Sequence, residues 1–146
     1  MPITRQFTEE TLSPYTAFEF RSTSSEIKNP DGSTVFKLDE MEIPSDWSQV
    51  ACDVLAQKYF RKAGVPARLK KVEENDVPSW LWRSVADEDA LVDLPQEQRY
   101  SGESSAKQVF DRLAGTWCYW GWKGGYFDGE ADARAYFDEM RYSLCA

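Results

Sequence analysis

Trp117-Cys118-Tyr119-Trp120-Gly121-Trp122-Lys123-Gly124-Gly125-Tyr126-Phe127 places six of the 21 Trp, Tyr and Phe residues of a 146-residue chain within eleven positions. Each such ring buries roughly 150–250 Å² when packed, so the run belongs in a core, around a ligand or against another polypeptide surface. Upstream, Val109, Phe110, Leu113, Ala114, Trp117 and Cys118 share one face of a helix. It is expected to start at Ser104 or Ser105 and to end where Gly121, Gly124 and Gly125 make continuation costly. Downstream, Asp128 is the expected N-cap of another helix, with Ala133, Tyr136, Phe137, Met140 and Leu144 as its buried stripe. Together they predict an antiparallel helical hairpin joined through the glycine-rich aromatic connection. The second helix meets no Gly or Pro stop before Ala146, which predicts a chain cut or split at this point.

Before this hairpin, Pro44-Ser45-Asp46-Trp47-Ser48-Gln49 reads as a helix start, with Ser45 or Asp46 as cap and Asp46 and Gln49 at capping-box spacing. Trp47, Val50, Ala51, Val54, Leu55 and Tyr59 are its expected apolar face, and Gly64-Val65-Pro66 stops it. Further upstream, Asn29-Pro30-Asp31-Gly32-Ser33 is a turn signal: Pro presets φ, Asp accepts a local hydrogen bond and Gly supplies positive φ. It predicts a β-hairpin over residues 24–38, closed by a type I turn with a Gly bulge, and Phe18 and Phe20 suggest a third strand. Residues 67–101 are less regular; a short helix over 80–91 is expected, anchored by Trp80-Leu81-Trp82, with loop elsewhere. The expected fold class is mainly α within α+β: an N-terminal β-hairpin followed by three principal helices, the last two paired.

Composition suits one globular domain, with 42% hydrophobic, 14% aromatic and 29% charged residues. The formal charge of −8 disfavours direct contact with nucleic acid or anionic lipid, whose phosphates demand Lys and Arg. No 18-residue apolar stretch and no apolar leader region are present, so no membrane partner and a cytoplasmic location are expected. Three widely spaced cysteines, Cys52, Cys118 and Cys145, form neither a disulfide framework nor a CxxC motif and read as reduced thiols, Cys145 being the expected reactive one by exposure near the end.

Histidine is absent. Ser-His-Asp and Cys-His nucleophile systems and His-rich zinc sites are therefore excluded. The carboxylate groups Asp87, Glu88, Asp89 and Asp128, Glu130, Asp132 lack the Ca²⁺-loop pattern and read as helix-start acids. Lys123 lacks the spacing of a phosphate loop and reads as part of a turn. The aromatic run could serve as a stacking platform for a sugar or base, but its helical flanks favour packing. No catalytic, cofactor-binding or metal residues are assigned. Trp117, Trp120, Trp122, Tyr126 and Phe127 are the candidate docking surface.

Four stretches together resemble a known family. They are Ser25-Glu26-Ile27-Lys28-Asn29-Pro30-Asp31-Gly32-Ser33, Trp47-Ser48-Gln49-Val50-Ala51, residues 55–66 (Leu55-Ala56-Gln57-Lys58-Tyr59-Phe60-Arg61-Lys62-Ala63-Gly64-Val65-Pro66), and Val109-Phe110-Asp111-Arg112-Leu113-Ala114-Gly115 leading into Tyr119-Trp120-Gly121-Trp122-Lys123-Gly124-Gly125-Tyr126-Phe127-Asp128. In order and spacing they resemble the amino-terminal region of adenosylcobalamin-dependent, class II ribonucleotide reductases, from about Phe18 to Leu144. The resemblance implies a domain over 18–146 behind an N-terminal extension at 1–17. It also implies a share in reducing ribonucleotides to deoxyribonucleotides, with adenosylcobalamin as cofactor of the assembled enzyme and none expected on this chain alone. In that family the catalytic cysteines lie in an α/β barrel that follows this segment, and Cys52, Cys118 and Cys145 match none of them. The implied partner is that barrel, in the same or a separate chain, and the chain alone is expected to be inert. The alternative is a free-standing interaction module docking through the Trp-rich helical hairpin.

Overall fold

A computed structural model describes residues 1–146. It is α+β, 40% helical and 21% strand. Strands β1 (Phe20–Lys28) and β2 (Thr34–Pro44) pair antiparallel from Phe20 opposite Pro44 to Lys28 opposite Thr34. The turn follows its sequence: Gly32 N donates to the Asn29 carbonyl at 2.9 Å, Asp31 accepts from Ser33 N at 2.8 Å, and Gly32 takes φ of +90°. The hairpin is longer than residues 24–38, and its sheet has two strands. Phe20 opens β1 and Phe18 ends the 3-10 turn Pro14–Ala17, so these two residues build no third strand. The Phe18 ring packs on Tyr142 instead.

Helix α1 (Gln49–Lys58) starts later than the sequence predicts. Ser48, not Ser45 or Asp46, caps it by accepting from Ala51 N at 3.2 Å, and Trp47 lies before the helix, donating its indole N–H to the Cys145 carbonyl. The buried face is turned accordingly. Cys52, Leu55 and Ala56 are buried, whereas Val50 and Val54 of the expected face are 73% and 47% exposed, and Tyr59 is exposed too. Gln49 donates to the Ser24 carbonyl and Asp53 accepts from Ser25 Oγ at 2.7 Å. These bonds pin one edge of α1 to β1 and leave positions 50 and 54 outside.

The middle of the chain is built of short pairings. Strands β3 (Val65–Pro66), β4 (Leu69–Lys71) and β5 (Ser84–Ala86), the one-turn helix α2 (Glu88–Leu91) and strand β6 (Tyr100–Ser101) follow in order. β3 pairs with β6 and β4 with β5, both antiparallel. The helix expected over 80–91 is thus divided into a 3-10 turn (Ser79–Leu81), β5 and α2, because pairing with β4 takes the backbone groups of residues 84–86. Asp87 caps α2 through Ala90 N.

The helical hairpin consists of α3 (Ala106–Lys123) and α4 (Glu130–Cys145), packed against each other. Ser105 and Gln108 form a reciprocal capping box at the start of α3. The helix continues through Gly121 and stops at Gly124, within the group of three glycines expected to end it, followed by Gly125 with φ of +73°. Gly121 serves packing: a Cβ there would stand 2.8 Å from the Phe127 ring. Gly129, not Asp128, occupies the N-cap of α4, and the Asp128 carboxylate binds the Met1 amine at 2.6 Å. Residues 1–8 run along α4, with Ile3 N on Asp132, Arg5 on Asp138, and the amides of Gln6 and Phe7 on Glu139.

Two apolar clusters result. One joins Met41 and Ile43 of β2, Cys52, Leu55 and Ala56 of α1, Val109 and Phe110 of α3, and Cys145. The other gathers Val77, Leu81, Cys118 and Ala133 under Trp80, Trp82, Trp122, Phe127 and Phe137. Leu55→Ala is expected to destabilise the chain by about 2–5 kcal/mol in urea unfolding, as buried truncations do, and Val50→Ala by less than about 0.5 kcal/mol. The reverse order would reject the orientation of α1.

Candidate functional site

The five aromatic candidates separate into two environments. Trp120 and Tyr126 project outward, 63% and 65% exposed. Trp117, Trp122 and Phe127 are half-buried: Trp122 donates its indole N–H to the Asp76 carbonyl at 2.6 Å, and Phe127 packs on Tyr136. Lys123, expected in a turn, is instead the last residue of α3, with Nζ 3.1 Å from Glu74. The Tyr119 hydroxyl donates to the same carboxylate at 2.6 Å; that bond first, then Lys123, holds the Glu74 carboxyl below its usual range.

Sequence reasoning missed the buried charges of the helical hairpin. Asp138 is 1% exposed and receives Arg141 at 2.7 Å, Arg5 at 2.7 Å and Arg134 at 3.3 Å. Arg141 also reaches Asp111 at 3.2 Å, and Asp111 accepts from the Tyr15 hydroxyl at 2.6 Å. Burial, then that hydrogen bond, pushes the Tyr15 phenol well above its ordinary value. The spacing of Arg134, Asp138 and Arg141, at i,i+4 and i,i+3, was the available signal, since such residues share a helix face.

Beside this network a cleft of about 750 Å³ is lined by α3, α4 and the β4–β5 pair. Near its edge Glu103, whose side chain is fully buried, accepts from Arg112 at 3.0 Å and from Arg61 N at 2.7 Å, with Arg61 Nη2 at 3.4 Å. Burial alone would raise this carboxyl. The Arg112 hydrogen bonds, the Arg61 amide and the two guanidinium charges outweigh it and hold Glu103 below its usual value.

The thiols lie apart from this cleft. All three cysteines are buried, which corrects the expectation that Cys145 is exposed and reactive. Cys145 is only 1% exposed because the last turn of α4 packs into the hairpin cluster, and burial lifts its thiol to about 11. Cys118 donates to the Ala133 carbonyl and is pushed up to about 12 by burial. Burial also raises Cys52. No group of three or more Cys, Asp or Glu side chains is placed to hold a metal ion, and no helix is long and apolar enough to cross a membrane.

Fold and site thus define a small α+β unit with a charged and aromatic face and with its thiols sequestered. Residues 21–146 match the family described as class II vitamin B12-dependent ribonucleotide reductase. The chain is 67% identical over 144 residues to the vitamin B12-dependent ribonucleotide reductase of Bradyrhizobium diazoefficiens and 65% identical to that of Agrobacterium fabrum, in each case over 99% of its own length. A third relative of the same name, from Rhodopirellula baltica, is 27% identical over 87% of the chain. The chain belongs to this family. It spans 12%, 11% and 9% of the length of these relatives.

Glu103 has a depressed folded-state value, so its contribution to stability is present above the unfolded carboxyl value and is lost as pH falls through the folded one. Glu103→Gln is expected to cost about 2 kcal/mol at pH 7, and the gap to the parent should close in unfolding titrations carried below pH 4.5, the ordinary Glu value. A gap independent of pH would contradict the assignment. An aromatic disulfide thiol reagent should label none of the three cysteines within minutes in buffer at pH 8 and all three in denaturant; fast labelling of Cys145 in buffer would contradict its burial.

Proposed function

We propose that this chain is the amino-terminal module of a vitamin B12-dependent ribonucleotide reductase, and that it contributes to reduction of ribonucleotides to deoxyribonucleotides by packing against a catalytic α/β-barrel portion. The observation that carries this reading is the pairing of nearly full coverage of the chain with only 12% coverage of its relative. In this reading adenosylcobalamin serves the assembled enzyme, and no cofactor-binding residue is assigned on this chain.

In this reading residues 18–146 form the domain and 1–17 its extension. The barrel rests on the Trp-rich end of the helical hairpin, where Trp120 and Tyr126 are the outermost of Trp117, Trp120, Trp122, Tyr126 and Phe127. Exposed aromatic side chains of this kind dominate interface energies when a partner covers them. The three free thiols fit a reducing, cytoplasmic setting.

Trp120→Ala with Tyr126→Ala tests the docking. In the continuous reductase, or in the module mixed with a separately purified barrel portion, ribonucleotide reduction is expected to fall about tenfold or more, as loss of interface anchors worth ~2 kcal/mol would require. The melting temperature of the isolated double variant should stay within about 2 °C of the parent, since both side chains are exposed. Full activity with a stable variant would remove this surface from consideration.

A further inference from the structure

We infer that the open edge of β4 takes an extended acidic polypeptide segment as a third strand beside the β4–β5 pair. Segregation of charge is the first observation. Residues 54–72 hold six cations, Lys58, Arg61, Lys62, Arg68, Lys70 and Lys71, and no Asp or Glu, in a chain with 25 Asp and Glu against 17 Lys and Arg. Only Arg61 of the six pairs with a carboxylate, that of Glu103 at 3.4 Å. Lys62 and Lys71 donate to backbone carbonyls, Arg68 reaches only the carbonyl of Ala67 at 3.4 Å, and Lys70 is exposed. Positive charge gathered in this way attracts an anion from outside the chain.

The backbone supplies the second observation. β4 and β5 form a sheet of two strands, with Leu69 opposite Ala86, Lys70 opposite Val85 and Lys71 opposite Ser84. Bonds from Asp87 N to the Arg68 carbonyl and from Val72 N to the Arg83 carbonyl show that positions 68, 70 and 72 face β5. The amides and carbonyls of Leu69 and Lys71 consequently point to the other side, where no strand is paired. All three residues of β4 are exposed, and Leu69 adds an apolar contact among the cations. A segment laid along this edge meets two unpaired backbone positions, with Leu69 and Lys71 on one face and Arg68 and Lys70 on the other.

Charge also selects the occupant. Lysines on an edge strand guard against pairing between identical edges, so repulsion excludes a second copy of β4. An acidic strand places its carboxylates opposite those same cations, and opposite charges across a strand pair are stabilising. A nucleic acid fits less well, because the patch is bounded by Glu73 and Glu74 after β4 and by Asp87, Glu88 and Asp89 after β5. A long polyanion runs onto those carboxylates, whereas a short strand stays within the patch.

The inference does not rest on docking through Trp120 and Tyr126, so it is tested on the 146-residue chain without the barrel. The probe is a capped peptide of about eight residues alternating Glu and Val, a length usual for strands. Calorimetric titration is expected to show binding below about 1 mM. Arg68→Glu with Lys70→Glu, both at exposed positions, should weaken that binding about tenfold or more and confer binding of the matching Lys and Val peptide. On the unaltered chain the Glu and Val peptide should slow hydrogen exchange at the Leu69 and Lys71 amides about tenfold, a readout that stands even where the charge variant fails to fold. Absence of peptide binding at about 1 mM overturns the inference. So does unchanged exchange at these two amides in the bound state, undiminished binding by a folded charge variant, or tighter binding of a single-stranded RNA oligomer of equal charge than of the peptide.

Discussion

A carboxylate removed from water must be compensated where it stands, and Asp138 is the point at which this chain meets that constraint. Desolvating an ion costs several kcal/mol even after relaxation, yet Asp138 is 1% exposed in the middle of α4. Its compensation comes from three directions: Arg141 and Arg134 on its own helix and Arg5 from the N-terminal segment. Arg141 in turn ties α4 to Asp111 of α3, and Asp111 ties α3 to Tyr15. One buried anion thus specifies how the two long helices and the first residues of the chain come together. Apolar packing alone, being non-directional, would leave that register less defined.

The aromatic residues complete this arrangement by taking different parts. Arg134 lies over the faces of Trp80 and Phe137, and Arg141 lies 3.9 Å from the centre of the Phe137 ring. These rings therefore support the guanidiniums that neutralise Asp138 while covering the second apolar cluster. Trp122 and Phe127 close the turn of the helical hairpin, and Trp120 and Tyr126 remain outside it. A run of rings that looks uniform in sequence is divided by helical phase into supports, closures and an exposed surface.

Much of the framework was legible because local signals agreed with one another. Asn29-Pro30-Asp31-Gly32 set its turn, Ser104 or Ser105 marked the start of α3, and the apolar spacing of 109, 110, 114 and 118 gave the buried face of that helix. The misreadings arose where distant contacts decided. Trp47 looked like the first residue of a helical stripe, but its indole is committed to the Cys145 carbonyl, and the face of α1 turned with it. Residues 84–86 looked helical and became a strand because β4 was there to pair with them. Cys145 looked exposed by its position near the end, and packing of α4 buried it. In the candidate site the outward rings were within the quoted run, whereas the cleft cations come from Arg61, Lys71, Arg83, Arg112 and Arg141, too far apart in sequence to read as one group.

The amino-acid sequence by itself determined the hairpin turn, the two long helices, the absence of imidazole chemistry and the family, because each rests on residue identity and short-range spacing. Only the tertiary structure decided which aromatic rings face outward, which thiols are sealed, how Asp138 is neutralised and where the cations converge. Those depend on residues more than a hundred positions apart, such as Arg5 and Asp138, being brought within hydrogen-bonding distance. No local pattern encodes that distance; it follows from how the packed elements share the cost of burying charge.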